Sequence, residues 1–225
     1  MENTVRSIRD KARLALSHRH RTTGPKPVLT TAGCGLVSGT RVATPGGWAV
    51  VDRLNVGDEV LTFDAGFQRV TALVPETVFD AAQLTPRAMW PLRIPSGTLS
   101  NRQDLIVSPH QGVLVESPDV RDSWGDPFAV LPGAALEVVE GVKRVEANGR
   151  LEAFLPVFAE DQMIFANGGA LLFSQCIWGL RAGVRPRFGK APNYNLLSMK
   201  AAMELLEHGA VRTLDVNPEV LRQAA

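Results

Sequence analysis

The chain has 225 residues, of which 45% are hydrophobic, 21% charged and 6% aromatic, and a net charge of +1. That apolar share supplies a core and excludes a wholly disordered chain. The two cysteines, Cys34 and Cys176, exclude a disulfide scaffold and a four-thiolate zinc site, and the four histidines show no metal-ligand spacing.

The near-neutral total hides a division along the chain. Residues 1–30 carry seven Lys and Arg against Glu2 and Asp10, residues 31–178 carry ten against seventeen acids, and residues 179–225 carry seven against four. An acidic body therefore lies between a basic head and a basic tail. Basic ends can meet nucleic acid or an anionic membrane surface. These lack interleaved aromatic residues, so they read as solvated tails and no specific nucleic-acid partner is expected.

Residues 3–20 are expected to form a short helix, with Val5, Ile8, Ala12 and Leu16 near one face, broken by Gly24-Pro25-Lys26-Pro27. Arginines are scattered through this stretch and no apolar run follows, so it is not a signal peptide; residues 1–33 read as a basic leader. From residue 36 short apolar runs alternate with turn residues. VAT (42–44) precedes Pro45-Gly46-Gly47, WAVVDRL (48–54) runs into Asn55-Val56-Gly57-Asp58, and EVLTF (59–63) runs into Asp64-Ala65-Gly66 before FQRVTALV (67–74). Val, Thr and Phe recurring between Gly/Asp corners predict an all-β domain.

Residues 76–103 contain Pro86, Pro91 and Pro95 and read as an excursion around a strand near 90–94. DLIVSPHQGVLV (104–115) predicts two strands bent at Pro109, residues 117–127 a loop, and FAVLPGAALEVVEGVKRVE (128–146) short segments with a helical turn at 132–137. Residues 162–180 carry no charge, but Asn167, Gly168, Gly169, Ser174 and Gln175 argue against a membrane span. MIFA and GALLF (163–173) instead predict a hairpin with a type I′ turn at Asn167-Gly168. Residues 181–193 have linker composition, and LLSMKAAMELLEHG (196–209) predicts an amphipathic helix with Leu196, Met199, Met203 and Leu206 on one face and Gly209 as its stop. The stretches 42–61 and 113–136 share an order of strand, loop and Gly-bearing corner, which suggests two half-domains of similar design.

GTRVATPGGWAVVDRLNVGDEVLTFDAGFQRV (39–70) resembles the opening of the bacterial hedgehog/intein (Hint) domain, matching at Gly39-Thr40, Thr44, Gly47, Val51, Leu54, Gly57-Asp58, Val60, Leu61-Thr62, Asp64 and Gly66. DLIVSPHQGVLV resembles the second block of that family, and FAVLPGAAL (128–136) and FAEDQMIFANGG (158–169) its later blocks. The likeness covers about 36–173. It implies a compact, all-β, horseshoe-like fold with pseudo-twofold symmetry, bounded here as a Hint-like domain over 34–178 with a basic linker and helix over 179–225.

The resemblance also implies autoprocessing chemistry. A thiol or hydroxyl at the first residue of the domain attacks the preceding carbonyl, converting an amide to an ester or thioester. A histidine three residues after a Thr or Ser in the second block protonates the leaving amine. A terminal Asn, usually after His, cyclises to complete splicing. On this likeness Cys34 is the candidate nucleophile, with Ser108 and His110 assisting, and Gly33–Cys34 the candidate junction.

Each part departs from the pattern. Four residues, Gly35 to Ser38, separate Cys34 from Gly39-Thr40 where the family has three, so Gly35 takes the nucleophile's place in an ungapped match. Three residues beyond Ser108 stands Gln111, with His110 one position early, and glutamine is no general acid near neutral pH. Pro156 and Gln162 hold two later positions where the family often has His, and no His-Asn pair occurs. The expectation is a Hint fold with degenerate or lost self-cleavage, in which any residual activity is an N–S acyl shift at Gly33–Cys34. Its alternatives are a non-catalytic binding module using the C-terminal helix against another protein, and an unrelated all-β enzyme using Asp58 or Asp64. No cofactor or metal is expected, Trp48, Trp90, Trp124 and Trp178 read as packing, and the expected location is cytoplasmic.

Overall fold

A computed structural model describes residues 34–79, 86–146, 150–176, 194–208 and 211–212. The expected leader helix at 3–20 and the linker at 181–193 lie outside the described residues. Fourteen strands are named: β1 (Leu36–Val37), β2 (Arg41–Thr44), β3 (Gly47–Val50), β4 (Glu59–Thr62), β5 (Gly66–Arg69), β6 (Ala72–Phe79), β7 (Leu92–Ile94), β8 (Leu105–Val107), β9 (Gly112–Glu116), β10 (Phe128–Pro132), β11 (Lys143–Arg144), β12 (Leu151–Val157), β13 (Gln162–Ala166) and β14 (Ala170–Ser174). Short 3-10 turns cover Val51–Arg53, Arg87–Met89 and Gly133–Val138, and one α-helix, α1, covers Met199–His208.

Among the described residues the architecture is all-β with that one helix, as the sequence predicts. The largest sheet runs β10-β9-β14-β13-β2-β3, with β4 and β5 joined through β13; smaller sheets run β1-β12-β6 and β11-β7-β8. Residues 162–174 of the uncharged stretch form the centre of the large sheet. Met163, Phe165, Leu171 and Phe173 enter one apolar cluster, while Ile164, Ala166, Ala170 and Leu172 enter the other. A strand pair buried on both faces needs a nearly continuous apolar run, and this need accounts for the missing charge.

The β13–β14 hairpin turns as predicted, through left-handed backbone at Asn167 (φ +44°) and Gly168 (φ +91°), closed by a 3.0 Å bond from the Gly169 N–H to the Ala166 carbonyl. The loop spans three residues, because Ala166 pairs with Ala170. Asn167 also ties distant segments. Its Oδ1 accepts the Arg41 N–H at 2.7 Å and its Nδ2 donates to the Asp104 carbonyl at 2.8 Å. The two echoing stretches also fold alike. The β2–β3 pair leads to the 3-10 turn at Val51–Arg53, and the β9–β10 pair leads to the one at Gly133–Val138.

The helix is present, but its inner face differs from the sequence reading. Ala202 and Leu205 are buried and Leu206 is half-buried, whereas Met199 and Met203 are 41% and 37% exposed. Small Ala202, one turn from Leu206, lets the helix approach the 3-10 turn at Gly133–Val138 closely, so packing rather than side-chain size sets the face. Ser198 caps the helix through its Oγ and the Ala201 N–H at 3.3 Å. Residues preceding α1 join the sheet, with Val130 N–H to Asn195 carbonyl at 2.8 Å and Leu197 N–H to Val130 carbonyl at 3.0 Å. Among the described residues no helix is long and apolar enough to cross a membrane.

Candidate functional site

The site is built where β1 begins. Leu36 and Val37 pair with Phe154 and Ala153 on β12, and the Ser38 N–H donates to the Glu152 carbonyl at 2.9 Å. Asp52 fixes the turn that follows, accepting the Gly39 N–H at 2.8 Å and the Ser38 hydroxyl. Partial burial works against ionising Asp52, but these two hydrogen bonds and neighbouring Arg53 outweigh it and hold the carboxyl below its usual 3.8.

Facing the start of β1 is the turn between β8 and β9. The Gln111 N–H closes it onto the Ser108 carbonyl at 3.1 Å, and the 3-10 segment braces it from behind, with Gly133 N–H to Gln111 carbonyl at 2.8 Å and Ala134 N–H to Pro109 carbonyl at 2.9 Å. A Cβ at Gly133 would lie 2.5 Å from the Ser108 carbonyl oxygen, so only glycine permits this approach. The chain thus gives Leu131-Pro132-Gly133 a second task besides ending β10.

Cys34, half-buried, meets this turn. Its Sγ lies 3.9 Å from the main-chain oxygen of His110, with which it makes a weak S–H contact. The structure therefore brings two of the three sequence-chosen residues together, but through the histidine's backbone. The His110 side chain is exposed, while Ser108 is fully buried. Gly35, the competing position, lies flat on β12: a Cβ there would be 3.1 Å from Phe154 C and 3.2 Å from Ala153 Cβ. Position 35 has little room for a reactive side chain, and Cys34 is the residue presented to the turn.

Gln111 is 1% exposed. Its Nε2 donates to the Phe173 carbonyl at 2.9 Å and to the Gly112 carbonyl at 3.0 Å. Two carbonyl neighbours fix the amide orientation, leaving Oε1 as the group it can offer elsewhere. That oxygen is buried and has no hydrogen-bond donor among the described residues, and the same holds for Gln162 Oε1. Gln162 pairs in register with Ser174, whose hydroxyl donates to the Pro156 carbonyl. The three positions where the resemblance implies histidine, 111, 156 and 162, thus converge on Phe173 and Ser174 at the end of β14. Sequence alone could not show this, since the convergence depends on sheet order.

Sequence reading also passed over Glu76. On β6 it pairs across with Ala153, and its Oε2 accepts the Gly35 N–H at 3.3 Å. The aspartates of the third alternative hold turns: Asp58 Oδ2 accepts the Asn55 N–H at 2.8 Å, and Asp64 accepts the Tyr194 hydroxyl. Among the described residues no cluster of His, Cys, Asp and Glu has the composition of a metal site. A cavity of about 280 Å³ beside α1, lined by Leu114, Leu136, Val139, Leu171 and Leu206, contains none of Cys34, Ser108 and His110.

The sequence model of the Hint domain matches residues 34–171, starting at the candidate nucleophile. The chain belongs to the Hint-domain family. No curated protein sequence matches it significantly. Among solved structures, the bacterial intein-like domain from Clostridium thermocellum is similar at 14% identity and TM-score 0.40, over 63% of this chain and 98% of that one. A splice-inactive variant of the AceL NrdHF class 3 split intein is similar at 14% identity and TM-score 0.38, over 64% and 99%. The MchDnaB-1 intein is similar at 16% identity and TM-score 0.37, over 62% and 99%. In this Hint domain the matched segment holds both Cys34 and the 108–111 turn that it faces.

Proposed function

We propose that this Hint domain carries a degenerate autoprocessing site, in which splicing is lost and a slow N–S acyl shift at Gly33–Cys34 remains. In that step Cys34 Sγ attacks the Gly33 carbonyl carbon and the bond to the Cys34 nitrogen breaks. The products are a thioester and an α-amine, with the thiol proton ending on the amine. The observation that carries the reading is the contact between Cys34 Sγ and the His110 carbonyl, because it seats the thiol against the turn that matches the family's second block. The slowness follows from Gln111, whose N–H groups are committed to Phe173 and Gly112 and which has no titratable proton for a leaving amine.

Incubating the full chain with dithiothreitol and following its intact mass tests the proposal. A fragment beginning at Cys34, absent from Cys34→Ala, supports it; a chain that stays whole under prolonged treatment counts against it. The second reading is a non-catalytic module that holds another protein through α1. It is favoured by Met199 and Met203, which stay exposed one turn apart on the outer helix face. Under it the chain stays whole and partner capture is lost when residues 196–225 are removed.

A further inference from the structure

The cavity beside α1 is walled by stretches that are far apart in the chain. Leu114 comes from β9, Leu136 from the 3-10 segment, Leu171 from β14, and Leu206 and Val211 from α1 and the residues after it. Leu114 and Leu171 belong to one buried apolar cluster and Leu136 to the other, so the space of about 280 Å³ lies at the seam between them. Close-packed interiors keep few voids larger than a water molecule, because the lining atoms there give up contacts. A lining of this kind does not hold water: an apolar cavity of about 150 Å³ stays dry and accepts benzene. Roughly twice that volume suits an aliphatic molecule of about ten non-hydrogen atoms.

One end of the cavity has a different chemistry. Val138 and Arg212 line it and are exposed, which puts its mouth there. The main chain of Arg212 is fixed to that of Glu116 by hydrogen bonds of 2.8 and 3.3 Å. Ion pairs among the described residues engage Arg87, Arg93, Arg144, Arg150 and Lys200, and Arg212 enters none of them. An apolar chamber with a guanidinium at its mouth is complementary to a molecule with a hydrocarbon body and an anionic head. We propose that this cavity binds a small aliphatic carboxylate, its chain in the seam and its head against Arg212. The site stands apart from Cys34, Ser108 and His110 and does not depend on the acyl shift.

Octanoate, with about ten non-hydrogen atoms, is the probe, and octan-1-ol is its neutral counterpart. Titrated into the full chain with methyl-labelled Leu and Val, octanoate should shift the methyl signals of Leu114, Leu136, Leu171, Leu206 and Val211 together, with a Kd on the order of 0.1–1 mM. Arg212→Gln should weaken octanoate about threefold and leave octan-1-ol unchanged, because a rim charge acts only on the anion. Glu116→Gln, which removes the acid paired with Arg212 across the bridge, should tighten octanoate about twofold. Val139→Phe, at a half-buried lining residue, should weaken both molecules by about tenfold or more by filling the chamber. A native chain whose lining methyl signals stay in place up to about 5 mM octanoate overturns the proposal. Equal affinity for octan-1-ol, with no effect of Arg212→Gln, overturns the assignment of a carboxylate.

Discussion

The side-chain amide nitrogen of Gln111 lies 2.9 Å from the carbonyl oxygen of Phe173, on the strand that ends beside Gln162 and Pro156. This contact makes residue 111 a piece of the sheet's hydrogen bonding instead of a proton donor. It also gives the substitution of that residue two separable consequences.

Gln111→His places a titratable ring in the buried slot three residues after Ser108. Cleavage with dithiothreitol should rise at least about tenfold, toward the range of a positioned general acid, and should fall away above a pH of about 6.5 as the ring loses its proton. Rates measured across pH by intact mass check this. A variant no faster than the native chain would show that the missing acid is not what limits the site.

Gln111→Ala removes the donor from the Phe173 carbonyl and leaves that oxygen buried. The expected loss of stability is about 1–3 kcal/mol, read from the urea midpoint at constant m-value.

Gly169→Ala tests the hairpin that centres the large sheet. Its Cβ would lie 2.3 Å from the Ser100 carbonyl oxygen, a main-chain atom with no freedom to rotate away. The 96–101 loop or the hairpin must move, and the unfolding midpoint should drop by several degrees, equivalent to about 2 kcal/mol or more. Gly46→Ala, with its Cβ position 4.0 Å from its nearest neighbour, should change little and serves as the control.

Tyr194 gives the protein a sensitivity to alkali. Burial, and then the nearby Asp64 carboxylate to which its hydroxyl donates, push the phenol well above its ordinary 10.0. A raised native pKa means that stability is fully present below the unfolded value and is lost as pH rises toward the native one. Above pH 10.0 stability should therefore decline with a slope of up to about 1.4 kcal/mol per pH unit from this group. Tyr194→Phe should flatten that decline and weaken the hold of the segment before α1, detectable as faster proteolysis near residue 194.

How far the fold could be read from the sequence depended on locality. The Asn167-Gly168 turn, the strands around Val42, Val60 and Ile106, and the helical turn after Pro132 follow from neighbours in the chain and were legible. The inner face of α1 was not, because Ala202 is chosen by the surface it meets and carries no strong hydropathy of its own. The candidate site divides the same way. Cys34 and the 108–111 turn were found by their resemblance to the family, whereas Glu76 became visible only once the order β1-β12-β6 set it across Ala153. Gln111 and Gln162 were marked as departures, but their shared position at the end of β14 is a property of the sheet.

Cys34 stands at the centre of this account as the proposed nucleophile, its thiol against the 108–111 turn and a glutamine where the family resemblance implies a histidine. The most direct measurement is to treat the full chain with hydroxylamine and examine the new C-terminus by mass spectrometry. The account predicts slow release of a leader fragment ending in a hydroxamate at Gly33, and none from Cys34→Ala. Release of the same fragment from Cys34→Ala, or no hydroxamate from the native chain, would contradict it.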